Sequence, residues 1–249
     1  MMLPSIRGTI RRRILVNFRV DHIVMQRALP EPFTPKLLNG QAVAGICLIR
    51  LEHIRPSSIP FQLGLWSENA AHRVAVRWTD SRGNEQEGVY IPRRDTNSPL
   101  VLVSGGRLFP GQHHRAVFSV KDDGARIDLA MKSDDGLAEV RLLARPAPGL
   151  PAGSRFATLT DASCFFEQGS LGYSATRGGD GLEGLELQTN SWHVEPLAIE
   201  SVFSSYFADE SRFPGGAVEF DCALIMRDLP HQWRSAPELY SVTAPGGWS

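Results

Sequence analysis

Two Asp-Gly turns set the strongest limit on how this chain can fold. Asp122-Asp123-Gly124 and Asp134-Asp135-Gly136 separate runs in which apolar residues recur at every second position. Ala116 to Val120 leads into the first turn. Ile127, Leu129 and Met131 share one face of the strand between the two turns, and Val140 and Leu142 follow the second. A period of two puts alternate side chains on opposite faces of a strand, and Asp-Gly suits the tight turn that joins antiparallel neighbours. The segment reads as a β meander. Upstream, Val74, Val76 and Trp78 alternate with Ala75 and Arg77 ahead of the turn residues Asp80 to Asn84. Leu185 to Trp192 and Val218 to Met226 return to strand. Helical signals are few: Asp21 caps a segment that stops before Pro30, and Asp161 opens another that ends at Gly169. The fold class is α+β and mainly β, with about ten strands and a few short helices.

Composition removes several function classes. The 249 residues carry 26 Lys plus Arg against 27 Asp plus Glu, a balance without the basic excess of a sequence-independent nucleic-acid binder. Only Lys36, Lys121 and Lys132 are lysines, so amine chemistry has few possible carriers. Cys47, Cys164 and Cys222 lack metal-ligand spacing and read as reduced, buried thiols, which with the absence of an apolar leader points to the cytoplasm. No apolar run is long enough to span a membrane.

Most familiar motifs dissolve on inspection. Gly179, Gly181 and Gly184 satisfy GxGxxG, but a strand-like Leu185 to Leu187 follows where a dinucleotide site needs a helix, so the glycines read as a loop. Gly172-Tyr173-Ser174 begins a nucleophile elbow, yet Thr176 stands where the strained turn needs glycine. The histidines form neither HxH nor HExxH, and no metal is expected. His113 and His114 are neighbours at the start of a strand and so point to opposite faces. Arg93-Arg94-Asp95 reads in isolation as a solvated, ion-paired turn; its sharper reading is an arginine fork at a pocket mouth. Glu68 beside Trp66 reads as an exposed strand end, with a buried acid–base carboxylate as the alternative.

Several segments, in order, carry a family resemblance. Asn17-Phe18-Arg19-Val20-Asp21, a short helix and Leu29-Pro30-Glu31-Pro32-Phe33 resemble the opening of the acetoacetate decarboxylase-like superfamily, with its Leu/Val-Pro-Glu-Pro turn. Trp66-Ser67-Glu68 resembles the aromatic-Thr-Glu stretch of the decarboxylases, and Gly106-Arg107-Leu108 their lead into the catalytic strand. The chain is most similar to an uncharacterised bacterial branch, a domain of unknown function. That likeness rests on Ser67 to Arg73, on Gly88-Val89-Tyr90-Ile91-Pro92-Arg93-Arg94-Asp95 and on Gly105 to Gly111. It implies one domain over 1–249 with a core about 10–235, built of curved antiparallel sheets closing into a cone-like barrel around a ligand cavity.

In the decarboxylases a lysine forms a Schiff base with a β-keto acid. Counted from Arg107, that position falls here on His114, or on His113 with a slip of one, and its cationic neighbour falls on Arg115; neither histidine can form an iminium. Arg11 matches the family arginine ahead of the first strand and Glu68 one of two pocket glutamates. The second glutamate falls between Val43 and Ile49, where the chain has only apolar residues, Gly45 and Cys47. The candidate site is therefore His114 and Glu68 for acid–base work, with Arg11, Tyr90, Arg94, His113 and Arg115 for ligand contact. The expected function is binding of a small carboxylate or carbonyl compound without Schiff-base decarboxylation. The rival is a lyase, isomerase or hydrolase in which His114 and Glu68 serve a keto acid; a blander reading fills the barrel with side chains. Whether the chain is an enzyme stays open. No cofactor, nucleic acid or membrane partner is expected, only a small-molecule ligand and a homo-oligomer such as relatives often form.

Overall fold

A computed structural model describes residues 5–58, 64–104, 110–179 and 181–239. In chain order these form β1 (Ile6–Val20), α1 (His22–Ala28), β2 (Thr34–Pro35), β3 (Leu37–Leu38), β4 (Gln41–Pro56), β5 (Trp66–Thr79), β6 (Glu85–Thr96) and α2 (Pro99–Ser104). There follow β7 (His113–Asp122), β8 (Ile127–Ser133), β9 (Glu139–Pro146), α3 (Leu159–Gln168), β10 (Leu171–Ala175), β11 (Leu182–Gln188), β12 (Glu195–Ser204) and β13 (Val218–Leu239). The strands exceed the expected ten, partly because β2 and β3 are two-residue pieces beside β4 and β5. None of the helices described is long and apolar enough to cross a membrane.

The strands join into one sheet that closes on itself twice. Along β6-β7-β8-β9-β12-β13-β1-β4-β5 each strand pairs with the next, and β5 pairs back with β6. A second circuit leaves β6 through β10, passes to β11 and rejoins β13. The circuits share β13, β1, β4, β5 and β6 and part at the first and last of these. β13 is 22 residues long and pairs β12 at Ala223 to Ile225 but β11 at Gln232 to Leu239. β6 pairs β10 at Val89 and Tyr90 but β7 at Arg94 to Thr96.

Double closure buries both faces of the shared strands. On the inner face Ile14, Val16, Ala44, Ile46 and Leu48 meet Ile127, Leu129, Met131, Val140 and Leu142. On the other face Leu15, Cys47, Cys222 and Leu224 pack with Phe156, Phe166, Leu185 and Leu187. Hence β4 reads Ala42 to Leu48 as a continuous buried run rather than an alternating one.

Local chemistry sets the ends. Asp21 accepts the backbone N–H groups of Ile23 and Val24 and caps α1. In α3 the cap is Thr158, one turn earlier than expected; Asp161 is the reciprocal member of a capping box. Both Asp-Gly hairpins form, with Gly124 and Gly136 at positive φ. The GxGxxG stretch is the β10–β11 hairpin, with Gly184 inside a strand. Cys164 is exposed, whereas Cys47 and Cys222 are buried as expected.

Gly45 tests how tightly β1 and β4 approach. A Cβ there would stand 2.3 Å from the carbonyl oxygen of Val16, which is backbone and cannot swing away. Gly45→Ala is expected to lower stability by about 1–3 kcal/mol, read from urea unfolding.

Candidate functional site

The change of neighbours along β6 opens a cleft. Between Tyr90 and Arg94 the strand has left β10 and not yet met β7, and the β5 register also shifts between His72 and Val74. Pro92 fits there, since a residue with no N–H is tolerated where the ladder is interrupted. The cleft has a volume of about 380 Å³ and its walls include Tyr90, Pro92, Arg93, His114, Tyr206 and Arg212. That is the size of a small-molecule site.

His114 enters this cleft on a fixed mount. Its Nδ1 lies 2.9 Å from Oδ2 of Asp135 in the β8–β9 turn. The same carboxylate accepts bonds from Ser133 Oγ (2.5 Å), the Leu137 N–H (2.9 Å) and Arg93 Nη2 (2.9 Å). Burial opposes ionisation of Asp135, but these donors from Ser133, Leu137 and Arg93 outweigh it and hold the carboxyl well below its usual range. Arg93 also donates to Asp95, 2.8 Å from Nη2 and 3.0 Å from Nε. The Arg93-Arg94-Asp95 stretch is therefore a strand, with Asp95 fully buried, rather than a solvated turn. Burial raises the Tyr206 phenol, so it meets the cleft as a neutral hydroxyl.

His113 points to the other face, as strand parity requires. It lies across the ladder from Arg94, and Arg94 lies across from Ala71, which pairs with Cys47. Arg13, Arg73 and Arg94 converge on this face around Cys47. Arg13 Nε donates to the Cys47 sulfur at 3.3 Å, Arg73 donates to Asn17 and stacks 4.8 Å over Phe166, and Arg94 Nε donates to Ser174 at 3.2 Å. Among the described residues no carboxylate pairs with any of the three, and buried Nη1 of Arg13 and Nε of Arg73 have no hydrogen-bond partner. Burial pulls the Arg73 and Arg94 guanidinium groups down to about 10 each, with the neighbouring Arg13 charge adding to it at Arg73. Burial likewise pulls His113 down to about 3, so its imidazole is neutral. Lys36 follows the two-residue β2, and its side chain is buried beside Arg13 and Arg73 at a void of about 20 Å³. Its amine donates to Glu87 and Gln168.

The other candidates lie elsewhere. Glu68 is buried, not an exposed strand end, and accepts Arg12 Nη2 at 2.6 Å and Arg50 Nη1 at 3.5 Å. Arg227, Arg12, Arg50 and Glu68 are lateral neighbours across β13, β1, β4 and β5, and Asp122 completes the network through Arg227 at 2.9 Å. Burial raises the Glu68 carboxyl despite both arginines. Arg11 is exposed and pairs with Asp228; Arg115 is exposed beside Asp134. The structure thus brings Tyr90 and His114 to one cleft and Arg94 and His113 to the opposite face, and places Glu68, Arg11 and Arg115 in other networks. Gly106 to Leu108 lie outside the described residues. Asp135, Arg13 and Arg73 carried no sequence signal beyond turn chemistry and strand parity.

A single sheet wrapped into closed circuits, with a ligand-sized cleft where β6 changes neighbours, has the acetoacetate decarboxylase-like fold. An acetoacetate decarboxylase-like enzyme from Sphingomonas wittichii RW1 superposes with a TM-score of 0.55 at 13% identity, over 95% of this chain and 91% of that one. Acetoacetate decarboxylase from Legionella pneumophila subsp. pneumophila str. Philadelphia 1 gives 0.53 at 14%, over 96% and 87%. The enduracididine biosynthesis enzyme MppR, complexed with pyruvate, gives 0.53 at 14%, over 95% and 90%. At such identities the likeness is one of fold. The chain itself belongs to the DUF2071 family, "Uncharacterized conserved protein (COG2071)", whose model matches residues 7–214. No curated protein matched it.

Proposed function

We propose that the protein binds a small carboxylate or carbonyl compound, its anionic head held by Arg13, Arg73 and Arg94, and that it does so without a Schiff base. The supporting observation is the set of three arginines on one sheet face, with two buried donors unsatisfied and no carboxylate partner among the described residues. An unpaired buried charge costs several kcal/mol, and an incoming anion with two acceptor oxygens offsets that cost through charge-assisted bonds. The void of about 20 Å³ beside Arg13 and Arg73, whose wall also carries the Lys36–Glu87 ion pair, is scarcely larger than one water site, which suits a carboxylate head and not a bulky group. Neutral His113 supplies a further polar contact on the same face. The pyruvate in the MppR complex is a ligand of this chemical class.

Thermal unfolding with acetate, pyruvate or acetoacetate is the direct test. Ligand at about 100 times its Kd should stabilise by ~2.7 kcal/mol and raise Tm by roughly 5–10 °C. Arg73→Met and Arg94→Met should abolish the rise; a wild-type Tm indifferent to all three ligands at millimolar concentration would refute the reading. Borohydride with acetoacetate should leave no adduct, because an amine nucleophile needs its lone pair free and Lys36 is engaged by Glu87. A trapped adduct on Lys36 would overturn the no-Schiff-base half of the proposal.

A further inference from the structure

The cleft at the β6 switch is built differently from the arginine face. Of the residues described along its walls, none is acidic and three are arginines, Arg93, Arg177 and Arg212. The carboxylates close by, Asp135 at His114 and Arg93, Asp95 at Arg93 and Asp209 at Arg212, do not line the open space. A bond from Nδ1–H to Asp135 leaves Nε2 as the nitrogen that carries the lone pair, with its tautomer and orientation fixed. An imidazole mounted on a carboxylate, inside a ligand-sized cavity, is the arrangement of a general base with its orienting group. Tyr206 adds a neutral phenol and Pro92 and Leu137 an apolar wall. Behind Tyr206 the His72 ring packs at 4.6 Å, which fixes the phenol ring.

We propose that this cleft is an acid–base site in which His114, oriented by Asp135, removes a proton from the carbon beside a carbonyl group in an anionic substrate. The volume of about 380 Å³, against ~30 Å³ for one water, sets the substrate at about a dozen non-hydrogen atoms. The step balances without a cofactor. The C–H proton moves to Nε2, the bonding pair shifts to form the enolate, and the negative charge collects on the former carbonyl oxygen. Asp135 meets the imidazolium charge, while the cationic and phenolic wall meets the enolate. Return of a proton from Nε2 to the same carbon restores the carbonyl compound.

Exchange in deuterium oxide reads this directly. Phenylpyruvate matches that size, and its C3 protons are followed by NMR against a protein-free blank, with pyruvate as the undersized comparison. Wild-type protein should speed exchange on phenylpyruvate at least tenfold over the blank, within the range of a positioned base. His114→Gln should return the rate to the blank, and Asp135→Asn should lower it with the fold intact by thermal unfolding. Blank-level exchange with wild type on both compounds, or a rate unchanged in His114→Gln, would overturn the proposal. The carboxylate shift in Tm depends on Arg73 and Arg94 on the opposite face, so either result can fail without the other.

Discussion

Arg12→Met should destabilise the protein by about 3–5 kcal/mol, a loss larger than any surface charge change could cause. Arg12 and Glu68 have side chains only 4% and 5% exposed, and they meet at 2.6 Å. Removing the guanidinium leaves Glu68 buried with Arg50 at 3.5 Å as its remaining cation. Burial already raises this carboxyl with both arginines in place. Without Arg12 the group either stays charged at high cost or takes up a proton, and both routes draw on the stability of the fold. Asp122 loses a neighbour at 3.8 Å but keeps its two bonds to Arg227. Tm should fall by roughly 6–20 °C. The double variant Arg12→Met/Glu68→Leu should recover most of the loss, because no unpaired charge then remains buried. A single variant costing under about 1 kcal/mol, or a double variant no better than the single, would show that the pair is not the buried charge couple described.

What the chain disclosed in advance follows from how far each signal reaches. Asp122-Asp123-Gly124 and Asp134-Asp135-Gly136 announce hairpins because a turn is decided by the few residues within it. Strand parity is equally local, so His113 and His114 were legible as opposed. Which of them faces the cleft depends on β6 leaving β10 for β7, and that switch joins residues some 80 positions apart. The same limit hides the charges. Arg11, Arg12 and Arg13 look alike in sequence, yet register sends Arg12 to Glu68, Arg13 to Cys47 and Arg11 to solvent. Asp135 reads as a turn residue and is one; its second role, carrying His114, exists only once β7 and the β8–β9 turn are adjacent. Glu68 was matched to a family glutamate by sequence order, whereas its surroundings are set by three strands beside it.

Acidification should unfold this protein well before its carboxylates are neutralised, and buried histidines are the reason. Burial first, with Arg93 and Arg212 adding to it, pulls His72 down to about 3; burial pulls His231 down to about 4. His72 is fully buried and His231 only 6% exposed. Unfolding returns each ring to a value near 6.5. A folded value below the unfolded one means that the unfolded chain binds more protons, so the stabilisation is complete above pH 6.5 and is lost as pH falls toward 3–4. At about 1.4 kcal/mol per proton per pH unit, the two rings together remove about 5 kcal/mol between neutrality and pH 4.5. His113 works in the same direction but is half-buried and contributes less. Glu68 and Asp95 have raised values, so their contribution runs the other way, present below their unfolded values and lost as pH rises toward their folded ones; between those limits they offset part of the histidine loss. Asp122 and Asp135 are lowered and add their loss below about pH 3.8. Urea midpoints measured from pH 7 to 4.5 should therefore fall steeply through a window where ordinary carboxylates are still ionised. His72→Phe keeps a ring against Tyr206 and Phe207 and removes one proton from the balance, so its slope should be shallower by about 1.4 kcal/mol per pH unit. Stability flat from pH 6.5 to 4.5, or a His72→Phe slope equal to the wild type's, would mean that His72 does not govern the acid limit.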